Sequence, residues 1–314
     1  MSDLARCNEP FFFLFDFEQI NPIVFTIDEA RKNGYLFEVN GYKNYKSKKL
    51  DKRTLKLSVS PIKKSIYAKA FKKVKREIYQ GNTFLLNLTF PTLVKSSLDL
   101  EHIFHSAKAP YKLYHKNKFV VYSPECFIKI FNGYIYSYPM KGTIDASIQN
   151  AKKKLMNNSK EINEHNTIVD LIRNDLSKIA KEVSVSRFRY IDKIKTQKND
   201  IYQTSSEIKG RLPDDWKKKL PEFIESLLPA GSISGAPKEK TLSIIKNVES
   251  EERGYYTGIF GYFDGNNLDS GVNIRFVENK DGTLRYRSGG GITFLSDLES
   301  EYHELIEKIY VPSI

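Results

Sequence analysis

The feature that most constrains the fold is a set of tight turns between short apolar segments. Asn132-Gly133, Asp264-Gly265 and Asp281-Gly282 each separate two segments rich in aromatic and β-branched residues. These dipeptides readily adopt the positive φ angles that a two-residue hairpin turn requires. Because a hairpin pairs its two strands antiparallel, the sequence predicts antiparallel β-sheets.

Helical segments are interspersed with these hairpins. Apolar residues recur at helical spacing in five places, over residues 65–80, 159–181, 219–228, 237–249 and 296–310. Ile66 is expected on the apolar side of the first segment, and Ser159 is expected to cap the second. Strands joined by tight turns, with helices between them, predict an α+β fold.

The composition excludes several classes of protein. A hydrophobic content of 40% and an aromatic content of 13% are typical of a globular chain. The apolar run at residues 11–15 is too short for a membrane span or for the core of a signal peptide. Cys7 and Cys126 lack the spacing of a disulfide framework or a metal site. We therefore expect a cytoplasmic protein with reduced thiols and no membrane partner.

The charge is strongly basic. The net charge is +12, and residues 43–76 carry fourteen Lys or Arg against a single acid, Asp51. A phosphate-binding surface could have this composition, but no base-stacking or groove-reading motif accompanies it. We expect no nucleic-acid partner. A basic surface would equally steer a dianionic small molecule towards the protein.

Two close glutamate pairs lie on predicted helices. Glu161 and Glu164 are three residues apart and therefore share a helix face, and Glu301 and Glu304 repeat the arrangement near the end of the chain. Either pair alone is typical of a solvated helix surface. Together the four carboxylates could hold a hard divalent ion, and Mg²⁺ favours carboxylates, water and an anionic substrate.

Cationic residues accompany the carboxylates. Lys141 lies in a predicted turn at residues 138–143 (YPMKGT) and could act as an amine nucleophile. Lys308, one helical turn after Glu304, forms either an ordinary helix pair or a contact to a substrate carboxylate. Arg275, predicted within a strand over 268–278, faces solvent or grips a carboxylate with two N–H groups.

A glycine run completes the candidate site. Residues 288–291 (SGGG) follow a predicted strand over 283–288. They form either a plain tight turn or a place where backbone N–H groups approach an anion.

Four segments, in order, resemble the chorismate-utilising enzymes. They are residues 163–176 (NEHNTIVDLIRNDL), 228–238 (LPAGSISGAPK), 253–258 (RGYYTG) and 289–304 (GGGITFLSDLESEYHE). The resemblance covers roughly residues 62–312. It implies two antiparallel sheets packed in a sandwich flanked by helices. It also implies a catalytic domain at 62–314, preceded by a shortened N-terminal region at 1–61 that packs on the core.

The resemblance also implies a magnesium-dependent chorismate site. Glu164 and Glu304 would ligate Mg²⁺, and Glu161 and Glu301 would coordinate it directly or through water. Chorismate would lie with its carboxylates near the metal. The remaining implied substrate contacts are Arg275, Lys308, the backbone of Gly289 and Gly291, and the pocket-lining Tyr256 and Thr143.

Three positions distinguish branches of this family. Residues 138–143 resemble the Pro-x-Lys-Gly-Thr motif of aminodeoxychorismate synthase component I, whereas anthranilate synthases tend to have a small residue at position 141. Leu85 stands where isochorismate and salicylate synthases carry a lysine that activates water, and a leucine cannot act as that base. Gln203 replaces a histidine that is associated with pyruvate-eliminating members.

The branch resemblance implies amination of chorismate. Lys141, assisted by Thr143 and Glu164 as further catalytic residues, would attack C2 as the 4-hydroxyl departs. Ammonia would then add at C4 and expel the lysine. The product, 4-amino-4-deoxychorismate, is the precursor of the 4-aminobenzoate in folate. Because neither cysteine lies in a Gly-x-Cys-x-Gly elbow, we expect a separate glutamine amidotransferase subunit to supply the ammonia.

Two other functions stay open at this point. An anthranilate synthase component I would release anthranilate and pyruvate and would depend little on Lys141. A non-catalytic basic binding protein would keep only a degenerate version of the fold. The intact set of four carboxylates argues against such a protein, because nothing except the site requires all four.

Overall fold

The computed structural model describes residues 1–46, 55–194 and 200–312. Every strand pair among them is antiparallel, which confirms the α+β class with two sheets and flanking helices. The helices are α1 (Ser2–Arg6), α2 (Ile27–Lys32), α3 (Lys64–Tyr79), α4 (Leu100–Ser106), α5 (Ala151–Met156), α6 (Ser159–Ser177), α7 (Leu220–Leu227), α8 (Gly231–Ser234), α9 (Lys238–Val248) and α10 (Leu298–Glu307).

The strands are β1 (Phe11–Phe15), β2 (Ile23–Thr26), β3 (Tyr35–Val39), β4 (Tyr42–Lys43), β5 (Leu57–Ser60), β6 (Leu85–Ser96), β7 (Tyr111–His115), β8 (Phe119–Ser123), β9 (Cys126–Phe131), β10 (Tyr134–Ser137), β11 (Met140–Asp145), β12 (Lys181–Ile194), β13 (Ile201–Arg211), β14 (Gly235–Ala236), β15 (Ile259–Phe263), β16 (Leu268–Val272), β17 (Phe276–Lys280) and β18 (Thr283–Thr293). The first sheet has the order β11-β13-β10-β9-β16-β15-β1-β2, with β12 on β13. The second has the order β14-β6-β18-β17-β8-β7-β3-β4, with β5 on β6.

Strand β1 shows why the two sheets pack face to face. Its five residues are all buried. Phe12 and Leu14 pack with Phe37 of the second sheet, and the other three side chains join the cluster that includes residues of α6, α7 and α8. A strand covered on both faces needs apolar residues at every position, which explains the unbroken run. Burying each such side chain contributes about 1.5–3 kcal/mol.

The first 61 residues contribute strands to both sheets. Strand β1 pairs with β15, and Phe13 stands opposite Gly261. Strand β3 pairs with β7 in the second sheet, and Phe37 stands opposite Leu113. This region therefore pairs directly with strands of the following segment. The predicted division of the chain at residue 61 stays a prediction.

Helix α3 covers the outer face of the second sheet, close to its predicted bounds. Its buried side includes Tyr67, Phe71 and Val74, whereas Ile66 is 51% exposed, contrary to the expectation. The ring of Tyr67 lies 5.7 Å from that of Phe90. The larger aromatic side chain therefore takes the inner position.

Three local features near the predicted site residues differ from the expectations. Asn158, not Ser159, caps α6, because its side chain accepts the N–H of Glu161 at 3.2 Å. Lys141 lies in strand β11 rather than in a turn. The predicted strand over 268–278 breaks into β16 and β17, which belong to different sheets.

The break between β16 and β17 places Arg275 in the connection where the chain passes from one sheet to the other. Its φ of +55° is in the left-handed region, which ends a regular strand. None of the helices in the described part of the chain is long and apolar enough to span a membrane. Residues 47–54 of the basic stretch lie outside the described residues.

Candidate active site

One cavity of about 510 Å³ is lined by every residue that was predicted to be catalytic, substrate-binding or metal-ligating. Its walls come from β11, α6, β18, α10 and the β16–β17 connection. The predicted residues that line it are Lys141, Thr143, Glu161, Glu164, Tyr256, Arg275, Gly289, Gly291, Glu301, Glu304 and Lys308. Side chains from distant parts of the sequence thus meet at one place.

Strand β11 carries Lys141, which lines this cavity. Its pairing with β13 shifts between Lys141 and Thr143, where Gly142 has a φ of +78°. The shift is a local bulge, a feature that redirects side chains at a sheet edge. The Nζ atom of Lys141 lies 3.8 Å from Oε2 of Glu164. It also lies 3.6 Å from the point where a Cβ on Gly291 would stand, so the amine is held between α6 and β18.

The glycine run lies at an open edge of β18. Strand β17 begins at Phe276, opposite Arg287, so the residues that follow Arg287 in β18 have β6 on one side only. The carbonyl of Gly289 accepts a hydrogen bond from Nζ of Lys308 at 2.9 Å. In an antiparallel strand the N–H and C=O of one residue point to the same side, and this side alternates along the chain. The N–H groups of Gly289 and Gly291 therefore point away from β6, towards the open edge.

The missing side chain of Gly290 leaves room for two carboxylates. A Cβ at this position would lie 3.4 Å from Oε2 of Glu301 and 3.4 Å from Oε1 of Glu304. On the other helix, Oε2 of Glu161 lies 2.9 Å from the Cβ position of Gly142. Glycines thus let both helices bring carboxylates against the strands.

The donor set fits a hard divalent cation. Among the described residues, no three His, Cys, Asp or Glu side chains are already positioned to hold one metal ion. The four predicted carboxylates nevertheless line one cavity, and those of Glu301 and Glu304 converge on one point of β18. Such a set suits an ion like Mg²⁺, which keeps water and substrate among its ligands.

Two cations lie near these carboxylates. Nζ of Lys308 lies 2.6 Å from Oε1 of Glu304. Burial lowers the pKa of Lys308, and the charge of Glu304 opposes this effect. Nε of Arg275 is buried and has no hydrogen-bond partner among the described residues, and its guanidinium lies 5.2 Å from the ring centroid of Tyr310. A buried donor without a partner is suited to an anionic ligand.

Sequence reasoning missed two acids that line this cavity, the exposed Glu307 and the partly buried Glu125. Oε1 of Glu125 accepts a hydrogen bond from the hydroxyl of Ser232 at 2.5 Å. Burial raises the pKa of Glu125, although the Ser232 hydrogen bond and the charge of Lys141 act in the opposite direction. The one available signal for Glu125 was a lone glutamate between two apolar strands, β8 and β9.

The two branch-determining positions also lie at the site. Leu85 is buried, and its Cδ1 is 3.0 Å from the Cβ position of Gly291. Gln203 lines the cavity and pairs with Thr143 across β11 and β13. Leu85 therefore lies directly beside the glycine that Lys141 approaches.

Comparison with known proteins places the site in context. Residues 25–312 match the chorismate binding enzyme family. An uncharacterized PabA-like protein of Pasteurella multocida is 52% identical over 305 residues, which cover 97% of this chain and 94% of that protein. The aminodeoxychorismate synthase component 1 of Salmonella typhimurium is 31% identical over 260 residues, 77% of this chain and 56% of that protein. The anthranilate synthase component 1 of Acetivibrio thermocellus is also 31% identical, over 265 residues, 79% of this chain and 52% of that protein.

Solved structures share the fold. The anthranilate synthase component I of Streptococcus pneumoniae superposes with a TM-score of 0.69 at 25% identity, over 83% of this chain and 60% of that one. The menaquinone-specific isochorismate synthase of Escherichia coli superposes with a TM-score of 0.74 at 15% identity, over 98% of this chain and 78% of that one. Enzymes of different branches therefore resemble this chain to a similar degree.

Proposed function

This chain belongs to the chorismate-binding enzyme family, and we propose that it aminates chorismate to 4-amino-4-deoxychorismate, as an aminodeoxychorismate synthase component I. The observation that carries the proposal is the position of the Lys141 amine, inside the cavity, 3.8 Å from Glu164 and next to Gly291. Leu85 stands where a water-activating lysine would otherwise lie. The cavity thus offers an amine nucleophile and lacks a base for water at that position.

The cations of the cavity suit a dianionic substrate. Arg275 offers a donor without a partner, and Lys308 lies partly buried near the Gly289 carbonyl. The N–H groups of Gly289 and Gly291 add neutral donors at the open edge of β18. Tyr256 supplies a buried aromatic wall. We assign these groups to the two carboxylates and the ring of chorismate.

The four glutamates would hold Mg²⁺. Glu161 and Glu164 approach from α6, and Glu301 and Glu304 from α10. The ion, when bound, would neutralise the ring carboxylate and withdraw electron density from the ring. Lys308 stays beside Glu304, so the substrate carboxylate would meet positive charge on this side as well.

The first chemical step uses Lys141 as a nucleophile. After its Nζ has given up a proton, it forms a bond to C2, both ring double bonds shift, and the bond between C4 and its hydroxyl oxygen breaks. Glu164 is placed to hold the proton that Lys141 loses. Glu125, whose pKa is raised by burial, lines the cavity as the acid that would give its proton to the departing hydroxyl, which leaves as water.

The second step runs in the opposite direction to the first, with ammonia in place of water, and Lys141 leaves with the proton that ammonia gives up. Ammonia bonds to C4, the double bonds shift back, and the bond between Lys141 and C2 breaks. The net reaction converts chorismate and ammonia into 4-amino-4-deoxychorismate and water. The enolpyruvyl group stays on the ring, so the later formation of 4-aminobenzoate would require a separate pyruvate elimination.

We further propose that a separate glutamine amidotransferase subunit supplies the ammonia in the cytoplasm. The Acetivibrio thermocellus and Salmonella typhimurium relatives are each named as component 1 of their synthase, which supports a second component. Thr143 directly follows the bulge in β11. It lines the same cavity as Lys141 and would help to position the substrate.

Product identification tests this proposal. The purified chain is incubated with chorismate, Mg²⁺ and ammonium, beside a Lys141→Ala variant and a control, Lys153→Ala, on the exposed side of α5. We expect 4-amino-4-deoxychorismate without pyruvate from the wild type and the control, and at least a hundredfold less from Lys141→Ala, in the range of covalent catalysis by a side chain. Anthranilate with pyruvate would assign the chain to the anthranilate branch instead. This branch is the specific competitor, because the Acetivibrio thermocellus anthranilate synthase and the Salmonella typhimurium aminodeoxychorismate synthase are equally identical to this chain. Absence of any product with ammonium would contradict both assignments.

A further inference from the structure

A second, smaller groove of about 170 Å³ lies beside the catalytic cavity. Glu164 lines both the groove and the cavity, and Leu85 lines the groove. On the inner side, Cδ1 of Leu85 and Nζ of Lys141 lie 3.0 Å and 3.6 Å from the same Cβ position on Gly291. Leu85 and Glu164 therefore form a thin wall between the groove and the amine of Lys141.

Large apolar side chains surround the mouth of this groove. Among the described residues, four of the five most exposed large apolar side chains lie here: Tyr79 (65%), Phe84 (63%), Leu295 (61%) and Phe294 (59%). The last three line the groove, and the ring of Tyr79 lies 5.2 Å from that of Phe294. We call these four residues the groove patch. A contiguous exposed apolar surface of this kind marks an interaction site.

The backbone under the groove patch is held in place. Nζ of Lys75 donates to the carbonyls of Thr293 and Ser296, each at 3.2 Å, and to that of Phe294 at 2.5 Å. The N–H of Phe84 donates to strand β14 at 2.8 Å. Aromatic side chains presented on a fixed backbone lose little freedom on binding, which is typical of the anchors of protein interfaces.

A basic stripe borders the groove patch. Lys72, Lys75 and Arg76 precede Tyr79 on α3 by seven, four and three residues, so they lie on the same helix face as Tyr79. Lys72 and Arg76 are exposed. Charge complementarity therefore favours a protein partner whose apolar contact surface has an acidic rim.

We infer that the groove patch is the docking face for the ammonia-supplying glutamine amidotransferase subunit, and that the groove beneath it brings ammonia to the substrate that is bonded to Lys141. The inference rests on the proposed function. Ammonia released into water at neutral pH becomes ammonium and diffuses away. A partner that covers the groove patch would instead release it into a closed space whose inner wall adjoins the reacting amine.

Binding tests the docking face without reference to catalysis. The probes are the glutamine amidotransferase subunits encoded in the same genome, each purified separately and titrated onto the immobilised chain. A Phe294→Asp/Leu295→Asp double variant is compared with a Phe131→Asp variant, which changes an equally exposed aromatic residue on the β9–β10 hairpin. We expect the double variant to weaken binding by at least about tenfold and the hairpin variant to leave it unchanged.

Two binding results would overturn the inference: equal binding to all three proteins, or no binding of any subunit to the wild type. Self-association provides a further test. If sedimentation shows that the wild type is an oligomer which the double variant dissociates, the groove patch is an interface between copies of this chain, and the docking assignment is wrong.

Activity separates this inference from the proposed function. With ammonium as the nitrogen source, the double variant should match the wild type. With glutamine and the subunit at a concentration near its Kd, it should form at least about fivefold less product. An equal loss with both nitrogen sources would overturn the docking face. If the wild type forms no aminated product from ammonium, the proposed function fails, whereas the binding result still decides the docking face.

A groove-filling variant tests the ammonia path. Thr167 lines the groove on α6 and lies outside the proposed catalytic set. Thr167→Trp should leave subunit binding and ammonium-dependent product intact, and should lower the amount of product formed per glutamate released. An unchanged ratio would exclude the groove as the path.

Discussion

At the scale of single residues, two glycines decide how closely carboxylates can approach the strands. Gly142 and Gly290 each lie where a Cβ would meet glutamate oxygens. The sequence marked Gly290 as part of a glycine run, but a backbone role was expected for that run. The space it leaves for Glu301 and Glu304 depends on how α10 packs on β18, which spacing along the chain does not encode.

Gly290→Ala should weaken the metal site and leave the fold intact. The added methyl would make ordinary contacts at 3.4 Å to the carboxylates of Glu301 and Glu304, so it should not strain the strand. It would occupy space that the carboxylates need in order to reorient around an ion. We expect about a tenfold higher Mg²⁺ requirement, or about 1.4 kcal/mol, at an unchanged melting temperature. Magnesium titration of the activity measures this effect. Glu299→Gln, which changes an exposed carboxylate of α10, should not affect it.

Glu125 gives the site a pH dependence of known sign. Because burial raises its pKa, the carboxyl stays protonated to higher pH than an exposed glutamate. If it protonates the leaving hydroxyl, kcat should fall as the pH rises through this raised pKa. Glu125→Gln should lower kcat by about 10²–10⁴ and remove that part of the profile. A pH–kcat profile that keeps the same alkaline limb in the variant would contradict the role.

The same shift has a consequence for stability. The folded state holds the proton of Glu125 more tightly than the unfolded state does, so this group lowers the free energy of unfolding as the pH rises above the unfolded value of about 4.3. Glu125→Gln removes the cost of burying a charge. Thermal unfolding at neutral pH should therefore show a variant at least as stable as the wild type, and a less stable variant would contradict this account.

At the scale of elements, periodicity predicted the five longest helices of the described residues, but it missed the shorter helices and predicted the connections poorly. Helix α3 begins and ends within one residue of its predicted bounds, because its apolar spacing is unambiguous. The break at Arg275 could not be predicted, since residues 268–278 alternate like one strand. The break arises because β16 and β17 lie in different sheets, which is a property of the whole sandwich.

The cap of α6 links local stability to the proposed metal site. Asn158 accepts the N–H of Glu161, the first carboxylate of the helix. Asn158→Ala should lower the free energy of unfolding by about 1 kcal/mol and also raise the Mg²⁺ requirement, because fraying displaces Glu161. Asp99→Ala removes a similar cap from α4, where Asp99 accepts the N–H of His102 at 2.8 Å. Denaturation should show a comparable loss there with no change in the Mg²⁺ requirement. Equal magnesium behaviour of the two variants would contradict the link.

At the scale of the whole molecule, the family resemblance predicted the two-sheet sandwich from four ordered motifs. The structure places the predicted site residues in one cavity. Four carboxylates, Lys141, Arg275 and Lys308 come from segments up to 167 residues apart, from Lys141 to Lys308. Their spacing suggested chemistry, and their convergence required the fold. The patch at Phe294 and Leu295 had no periodic signal, because exposure is set by what the rest of the chain leaves uncovered.

The net charge of +12 predicts electrostatic steering of a dianionic substrate. Raising the ionic strength should lower kcat/KM for chorismate and leave kcat nearly unchanged, since screening at about 0.1 M acts over roughly 10 Å. Steady-state kinetics in a salt series measure both constants. A kcat/KM that does not depend on salt would show that the basic surface serves another purpose.

The central claim is that Lys141 bonds to the substrate, and intact-protein mass spectrometry tests it most directly. The chain is incubated with chorismate and Mg²⁺ in the absence of ammonia, beside Lys141→Ala and Lys153→Ala. The account predicts an added mass of chorismate minus one water on the wild type and on Lys153→Ala, lost on addition of ammonium. An adduct that forms equally on Lys141→Ala, or a wild type that aminates chorismate without ever carrying one, would contradict it.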